Sequence, residues 1–273
     1  MEAFSSALPL ILTLAATGVF AGILAGLLGV GGGIVIVPVL FFVFQGLGVS
    51  ADSAMIIATA TSLATIIPTS LSSIRAHHAK GNVDFALLKL WAPFVLLGVL
   101  LASYLVTIAE GEWLTTLFGV IATLAALNML LRAGSPPMFQ RLPSKAGQSI
   151  MAALIGLFSA LVGIGGGTLS VPTLTACNYP AHRAVGTAAA IGLIISLPAA
   201  VTLLIAGQTP VDAPAGTYGL VNLLGFICIV PLTVLFAPIG ARIAHALDAT
   251  KLKKVFAIVL LITGVRMLAQ LVL

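Results

Sequence analysis

Residues 22–40 read GILAGLLGVGGGIVIVPVL, and residues 156–174 read GLFSALVGIGGGTLSVPTL. Both stretches contain the pattern Gly-x-Gly-Gly-Gly-x4-Pro, at residues 29–38 and again at residues 163–172. Recurrence of a long pattern at a fixed distance is the mark of an internal repeat. The two stretches therefore predict that the chain is built from two related halves.

Matches on either side of this pattern extend the repeat. Residues 58–61 (ATAT) correspond to residues 184–187 (AVGT), and residues 114–129 correspond to residues 252–267. We therefore predict an N-terminal repeat at residues 1–133, a cytoplasmic linker at residues 134–146 and a C-terminal repeat at residues 147–273.

The composition indicates that lipid contacts most of the surface. Of 273 residues, 60% are hydrophobic and 7% are charged, whereas roughly a quarter of the residues of a soluble domain are charged. The mean hydropathy is +1.22, and apolar runs of membrane-spanning length recur along the chain. The net charge of +5 does not indicate nucleic acid, because the basic residues are scattered and not interleaved with aromatic ones.

In each half, the apolar segments predict a helix, a glycine break, a shorter helix and three longer helices. The first half gives helices at residues 9–28, 34–47, 53–74, 85–108 and 114–131. The second half gives helices at residues 147–162, 168–177, 184–206, 218–247 and 252–271, the fourth of which would overrun the membrane or bend at Pro231 or Pro238. We predict an all-α integral membrane protein with about eight to ten transmembrane or half-membrane helices.

The basic loops predict the orientation. Positive residues concentrate at residues 75–80, 132–145 and 242–254, which marks these loops as cytoplasmic. Residues 109–112 and 207–216 carry acidic residues and no basic ones, and so belong outside. The halves then have opposite orientations, as an inverted-topology repeat, in a multi-pass inner-membrane protein with both termini outside. Whether each Gly-broken pair is re-entrant or crosses twice stays open, and the sequence indicates no oligomeric state.

The glycine breaks are the candidate binding site. Transporters with inverted repeats place substrate at discontinuous helices, where freed N-terminal amides face an anion. The backbone amides of Gly31, Gly32 and Gly33, and of Gly165, Gly166 and Gly167, are therefore predicted to accept a small anion. The alternative is that the glycines only allow tight turns and close helix packing.

Hydroxyl groups near the breaks form a second candidate set. Thr61 and Thr187 occupy matching positions in the two halves, and Ser62 and Thr168 lie next to them or to a break. Their hydroxyls can donate hydrogen bonds to the oxygens of an anion. The alternative is a hydrogen bond to the preceding helical turn or to a neighbouring helix.

Charged residues suggest a direction of transport. Arg75, His78 and Arg183 lie at helix ends, where they would draw anions to a cytoplasmic mouth or would only anchor the topology. No carboxylate occupies the middle of a predicted long helix, so the usual proton or sodium relay is missing. A negative cell interior favours export of each anionic charge by about 2.3 kcal/mol per 100 mV, so an anion exporter needs no coupling ion.

The sequence gives no sign of an enzyme. It shows no Ser/His/Asp cluster and no metal-ligand cluster at membrane depth, and His182 and His245 stand alone. We therefore expect no catalytic residue, no metal and no cofactor. An anion channel lined by the same residues remains the alternative to a carrier.

The duplicated glycine pattern, the Ala-x-x-Thr helices and residues 75–84 (RAHHAKGNVD) together resemble the sulfite exporter TauE/SafE family over nearly the whole chain. The resemblance implies an inner-membrane carrier for sulfite, for sulfonates such as sulfoacetate, or for related small sulfur-containing anions. The two halves differ where Ala60 corresponds to Gly186 and Ser62 to Ala188. The two candidate half-sites are therefore not equivalent.

Overall fold

In the computed structural model, which describes residues 2–131, 137–243 and 249–270, the chain forms ten helices and one short hairpin. The first half contains α1 (Glu2–Leu28), α2 (Gly33–Gly46), α3 (Ala51–His78), α4 (Phe85–Ile108) and α5 (Gly111–Leu131). The second half contains α6 (Lys145–Val162), α7 (Gly167–Ala176), α8 (Ala181–Ile205), β1 (Thr217–Tyr218), β2 (Val221–Asn222), α9 (Leu223–Ile243) and α10 (Ala249–Ala269). The predicted all-α class is confirmed. Residues 134–136 of the predicted linker and His245 lie outside the described residues.

The prediction of one long helix at residues 218–247 is wrong at its start. Residues 217–222 form a hairpin in which Thr217 pairs with Asn222 and Tyr218 with Val221. Asn222 then caps α9, because its side-chain oxygen accepts a hydrogen bond from the Gly225 amide at 2.8 Å. The helix therefore begins at Leu223 and has 21 residues, so its described part does not overrun a membrane.

Within the described ranges, six helices are long and apolar enough to cross a membrane: α3, α4, α5, α6, α8 and α9. By contrast, α2 has 14 residues and α7 has 10. At 1.5 Å per residue they are about 21 and 15 Å long, whereas the hydrocarbon core is about 30 Å thick. Neither short helix spans the core alone, as the Gly-broken pairs predict.

Apolar side chains cover the outside of the bundle and polar side chains lie inside it, as contact with lipid requires. Leu97, Leu100 and Tyr104 on α4 are largely exposed, as are Ile227 and Leu235 on α9. The hydroxyl groups of α3, in contrast, are buried inside the bundle, at Thr59, Thr61, Ser62, Thr65, Thr69, Ser70 and Ser73. The exterior is therefore apolar and the centre is polar, the arrangement of a multi-pass membrane protein.

The helices pack in pairs around a central crossing of α3 and α8. Helix α1 packs on α9, and its counterpart in the second half, α6, packs on α4. Helices α5 and α10, which also correspond in the two halves, pack on each other. Such pairing is what two halves related by a twofold axis would give, and the repeat and its inverted orientation stay predictions.

The contact between α1 and α9 depends on glycine. Gly18, Gly22 and Gly26 follow each other at four-residue spacing along α1, and each lies against the backbone of α9. A methyl group on Gly26 would lie 1.8 Å from the carbonyl oxygen of Ala237, far inside van der Waals contact. This row of three glycines lets the backbones of α1 and α9 approach closely, as small residues do between helices in membranes.

The Gly26→Ala substitution should therefore separate α1 from α9. We expect it to cost about 2 kcal/mol or more, the range for overpacking a tight core, and to lower the apparent unfolding temperature in detergent by about 5 °C or more. The matched control is Gly46→Ala on α2, where an added methyl group meets nothing within 4 Å. An unfolding temperature of Gly26→Ala equal to that of Gly46→Ala would contradict this account of the packing.

Candidate functional site

The two glycine breaks pack against each other at the centre of the bundle. We call residues 29–33 the first break and residues 163–167 the second break. A methyl group on Gly33 would lie 2.4 Å from the carbonyl oxygen of Gly163, and one on Gly167 would lie 2.1 Å from the carbonyl oxygen of Gly29. The structure therefore brings together the two breaks that contain the six predicted glycines.

Each break also rests on the central helix of the other half. Gly29 lies against the backbone of Val185 on α8, and Gly163 lies against the backbone of Thr59 on α3. The backbone of Gly31 and Gly32 has φ angles of 72° and 82°, in the left-handed region that favours glycine. Gly165 has a φ of 71°. The glycines are thus required by turn geometry and by close packing, whatever else they do.

The two short helices begin at these breaks without a side-chain cap. The cap of α2 is Gly32 and that of α7 is Gly166, and neither supplies a side-chain hydrogen bond to the first turn. Most helix N-termini are capped by Ser, Thr, Asp or Asn, as Ser50 and Asp84 cap α3 and α4 here. The first-turn amides of α2 and α7 therefore carry partial positive charge inside the bundle.

Ser62 stabilises the second break directly. Its hydroxyl donates a 2.8 Å hydrogen bond to the carbonyl oxygen of Gly163. Further along α3, the Thr65 hydroxyl donates to the carbonyl oxygen of Ser62, and the Thr69 hydroxyl lies within 2.7 Å of the Thr233 hydroxyl on α9. The Ser62 hydroxyl hydrogen is therefore already used in a bond within the protein. The Thr65 bond stays within α3, and the Thr69 bond connects α3 to α9.

Thr61 and Thr187 make matching hydrogen bonds, each to the other half. The Thr61 hydroxyl oxygen accepts a hydrogen bond from the backbone amide of Asn222 at 2.9 Å. The Thr187 hydroxyl oxygen accepts from the Asp84 amide at 3.0 Å. Asn222 precedes α9 and Asp84 precedes α4, so each threonine holds the start of the fourth helix of the opposite half. These contacts are structural, and the sequence could not show them because the partners are more than 100 residues away.

Several buried hydroxyls have no protein partner among the described residues. They include Thr168 at the start of α7, which was predicted as a site residue. The others near the breaks or on the two central helices are Thr59, Ser70, Ser159, Ser170 and Ser196. A buried hydroxyl without a partner costs about 1–3 kcal/mol, so such a group indicates that something else completes its hydrogen bonds.

At one end of the bundle, Asp84 joins the two halves. Arg183 donates a 2.7 Å hydrogen bond to the Asp84 carboxylate, and the Tyr179 hydroxyl donates to the same oxygen. Burial would raise the pKa of Asp84, but the bond from Tyr179, the Leu87 amide and the Arg183 charge together hold it below its ordinary value. Burial and the bond to Asp84 raise the pKa of Tyr179 to about 12. We call Asp84, Tyr179 and Arg183 the Asp84 cluster.

At the other end of α3, Asp212 of the second half accepts hydrogen bonds from the first half. Its carboxylate accepts from the Ser53 hydroxyl at 2.6 Å and from the Ser50 amide at 2.8 Å. These bonds lower the pKa of Asp212 to about 2. We call Asp212, Ser50 and Ser53 the Asp212 cluster. Ser50 caps the start of α3, whereas Asp84 follows the end of α3, a helix of 28 residues and so about 42 Å long.

The predicted anion entry is only partly supported. Arg75 and His78 are exposed at the end of α3, and the His78 ring contacts the edge of Phe85 beside the Asp84 cluster. Arg183 lies at the same end, but its charge faces Asp84. Because the carboxylate offsets the guanidinium, Arg183 attracts an anion weakly while this ion pair is formed. Arg75 and His78 are therefore the exposed basic side chains that α3 offers to an anion at this end of the bundle.

In chemical terms, the centre holds amides and hydroxyls, and the two ends hold carboxylates. Donor groups without a fixed positive charge suit a small anion that must also be released. Among the described residues, no group of three or more His, Cys, Asp or Glu side chains could hold a metal ion. Sequence analysis missed the pairing of Asp84 with Tyr179 and Arg183, and the one available signal was the capping position of Asp84 before α4.

Comparison with known proteins agrees with this architecture. The family model described as sulfite exporter TauE/SafE matches residues 14–267. A probable membrane transporter protein of Haemophilus influenzae is 29% identical over 250 residues, covering 92% of this chain and 95% of that protein. The probable membrane transporter protein YunE of Bacillus subtilis is 27% identical, with 93% and 95% covered. No solved structure matches the chain significantly. The chain belongs to the sulfite exporter TauE/SafE family of membrane transporters.

Proposed function

We propose that this transporter exports small sulfur-containing anions, such as sulfite, sulfoacetate and other organosulfonates, from the cytoplasm across the inner membrane. The family description supports sulfite as a substrate. The buried amides and hydroxyls at the paired breaks support a small oxyanion. The membrane potential, or a proton gradient acting through substrate protonation, would drive export.

The observation that carries this proposal is the pair of carboxylate clusters at opposite ends of α3. Each cluster ties one half to the other, and the breaks lie between them. If the clusters open in turn, the centre is reached from one side at a time. That is alternating access, in which one repeat moves against the other around a fixed site.

Two clusters formed together support a carrier over a channel. A channel needs one continuous path while it conducts, whereas here hydrogen bonds join the halves at both ends. Both carboxylates have lowered pKa values. Their stabilising bonds are therefore present at neutral pH and lost only as the pH falls through those low values, so neither cluster titrates in the physiological range.

Export can be tested with purified protein in liposomes. The vesicles are loaded with sulfite, sulfoacetate, sulfate or nitrate, and a potassium gradient with valinomycin holds the interior negative. We expect saturable efflux that is selective for sulfite or sulfoacetate and that accelerates with the potential, since each charge gains about 2.3 kcal/mol per 100 mV. Efflux of none of the four anions would contradict the proposal. Flux that neither saturates nor shows counterflow would indicate a channel.

The roles of the two clusters can be distinguished by labelling a native cysteine that lies beside one of them. Cys177 is buried two residues before Tyr179, and Cys228→Ala leaves it as the single cysteine of a chain that has two. Asp84→Asn removes a carboxylate that holds Arg183 and Tyr179. Hydrogen bonds to charged groups contribute about 1.5–3 kcal/mol to stability. We take the lower end of this range because the Arg183 side chain is about half exposed to solvent. We expect maleimide to label Cys177 about tenfold faster in this variant.

The matched control is Asp212→Asn, the same chemical change at the opposite end. It should leave the labelling rate of Cys177 unchanged or lower it, because opening one end closes the other in alternating access. Equal acceleration by both substitutions would indicate general loosening of the bundle. No acceleration by Asp84→Asn would remove the Asp84 cluster as a gate.

A further inference from the structure

Ile66 of α3 and Gly192 of α8 occupy one of the aligned positions at which the two central helices differ beside the breaks. The match of residues 58–61 with residues 184–187 places Ile66 of α3 opposite Gly192 of α8, and Ser70 opposite Ser196. Ile66 and Gly192 are both fully buried. One half of the chain thus has a branched apolar side chain where the other half has none.

Ile66 lies against both breaks, since a methyl group on Gly165 of the second break would lie 3.1 Å from its Cδ1. Its contacts with the first break are closer. A methyl group on Gly31 would lie 2.9 Å from Cγ2 of Ile66, and one on Gly33 would lie 2.9 Å from Cδ1 of the same side chain. The following positions of α2 are also apolar, with Ile34 and Ile36 buried. The amide end of α2 is therefore covered by hydrocarbon, which offers no hydrogen bond to an anion.

The second break is polar at the corresponding place. Gly166 packs directly on Gly192, and a methyl group on Gly192 would lie 3.1 Å from the Ser70 hydroxyl oxygen and 3.5 Å from the Gly166 amide nitrogen. The Ser70 hydroxyl is fully buried and has no partner among the described residues. Ser70 and the amide end of α7 therefore approach the same point beside Gly192.

The first turn of α7 adds further hydroxyl groups. Thr168 and Ser170 are buried and unpartnered within the described part of the chain, and they correspond to Ile34 and Ile36 of α2. The uncapped N-terminus of α7 places partial positive charge at the same end of the helix. Buried hydroxyl groups thus follow the second break in α7, whereas apolar side chains occupy the corresponding positions of α2 after the first break.

We propose that the anion binds at the second break alone, held by the first-turn amides of α7 with the hydroxyls of Ser70 and Thr168. The corresponding positions of α2, Ile34 and Ile36, offer the first break no hydroxyl group. Gly192 is the specificity-determining position, because any side chain there would fill the space between Ser70 and Gly166. This inference rests on the proposed transport of small oxyanions. It replaces two half-sites with a single binding site at the centre.

The donors also set the charge of the ligand. They include no charged side chain, and the cost of burying an ion rises with the square of its charge, so the site favours a singly charged oxyanion over a doubly charged one. Hydrogensulfite and sulfonates without a second charged group, such as methanesulfonate, belong to the favoured class. Sulfate and the doubly charged sulfoacetate do not, so of the proposed substrates the site favours hydrogensulfite. Binding should therefore rank methanesulfonate above sulfate.

Equilibrium binding to the purified, full-length protein in detergent tests the single site. The probes are sulfite under anaerobic conditions, methanesulfonate, nitrate and sulfate, with the dissociation constant measured for each. We expect Ser70→Ala to weaken binding about tenfold, the effect of one hydrogen bond to a charged group. Gly192→Ala should weaken binding at least as much, because its methyl group enters the site.

Three controls make the same chemical changes elsewhere. Ser103→Ala removes another buried, unpartnered hydroxyl on α4, Gly46→Ala adds a methyl group in open space on α2, and Ser196→Ala removes the aligned counterpart of Ser70. We expect each to leave the dissociation constant within about twofold of the wild-type value, since none contributes to the site.

The outcomes separate this inference from the proposed function. If wild-type protein binds sulfite and Ser196→Ala weakens binding as much as Ser70→Ala, the single site is wrong while sulfur-anion transport stands. If wild-type protein binds nitrate but neither sulfite nor methanesulfonate, the proposed substrate is wrong and the variants are judged on nitrate. An unchanged dissociation constant in Ser70→Ala and Gly192→Ala, or no binding of any probe, overturns the single site.

Discussion

The structure depends on the backbone contact between the two glycine breaks. Gly167 lies so close to the carbonyl oxygen of Gly29, and Gly33 to that of Gly163, that a side chain on either glycine would have to displace backbone. Helices α2 and α7 begin at this contact, and α3 and α8 pass beside it. Since both short helices are uncapped there, the contact brings amide ends into the centre of a membrane protein. A helix end in that environment has to find a partner for its amides, and an anion in transit is such a partner.

The buried hydroxyls of α3 divide into two kinds. Ser62 donates to Gly163 and Thr61 accepts from Asn222, so these groups hold the fold together. Ser70 has no protein partner among the described residues, although it belongs to the same helix and is equally buried. Residue type and spacing do not separate these groups, because the difference lies in what each hydroxyl faces across the bundle. The unpartnered hydroxyls are the better guide to a ligand.

Much of the architecture could be predicted from the sequence. The apolar runs gave the helices, the bounds of α4 matched at Phe85–Ile108, and the glycine patterns located both breaks. Residues 217–222 were included in α9 because Tyr218, Leu220 and Val221 are apolar, and a hairpin of two residues per strand has too few positions to show a period of two. Thr61 and Thr187 were predicted as a matching pair of site residues, and in the structure their hydroxyl groups accept hydrogen bonds from helix starts in the other half.

The site depended on contacts that no local pattern shows. The contacts of Ile66 with both breaks, and the approach of Ser70 to the second break beside Gly192, follow from the crossing of α3 and α8. The aligned positions gain meaning only once that crossing is known. The charge on Arg183 likewise faces Asp84, which lies 99 positions away in the chain and adjacent in space. Pairing across the halves, which the repeat implies without specifying, decides these roles.

The central claim is that one buried site is reached from each side in turn. The most direct measurement places a single cysteine in the site, as Ser170→Cys with Cys177→Ala and Cys228→Ala, and labels it with a membrane-impermeant thiol reagent. Right-side-out and inside-out vesicles expose the two faces separately. The account predicts labelling from both faces, slowed in each case by saturating sulfite. Labelling from one face only, or labelling from both faces at rates that sulfite leaves unchanged, would contradict it.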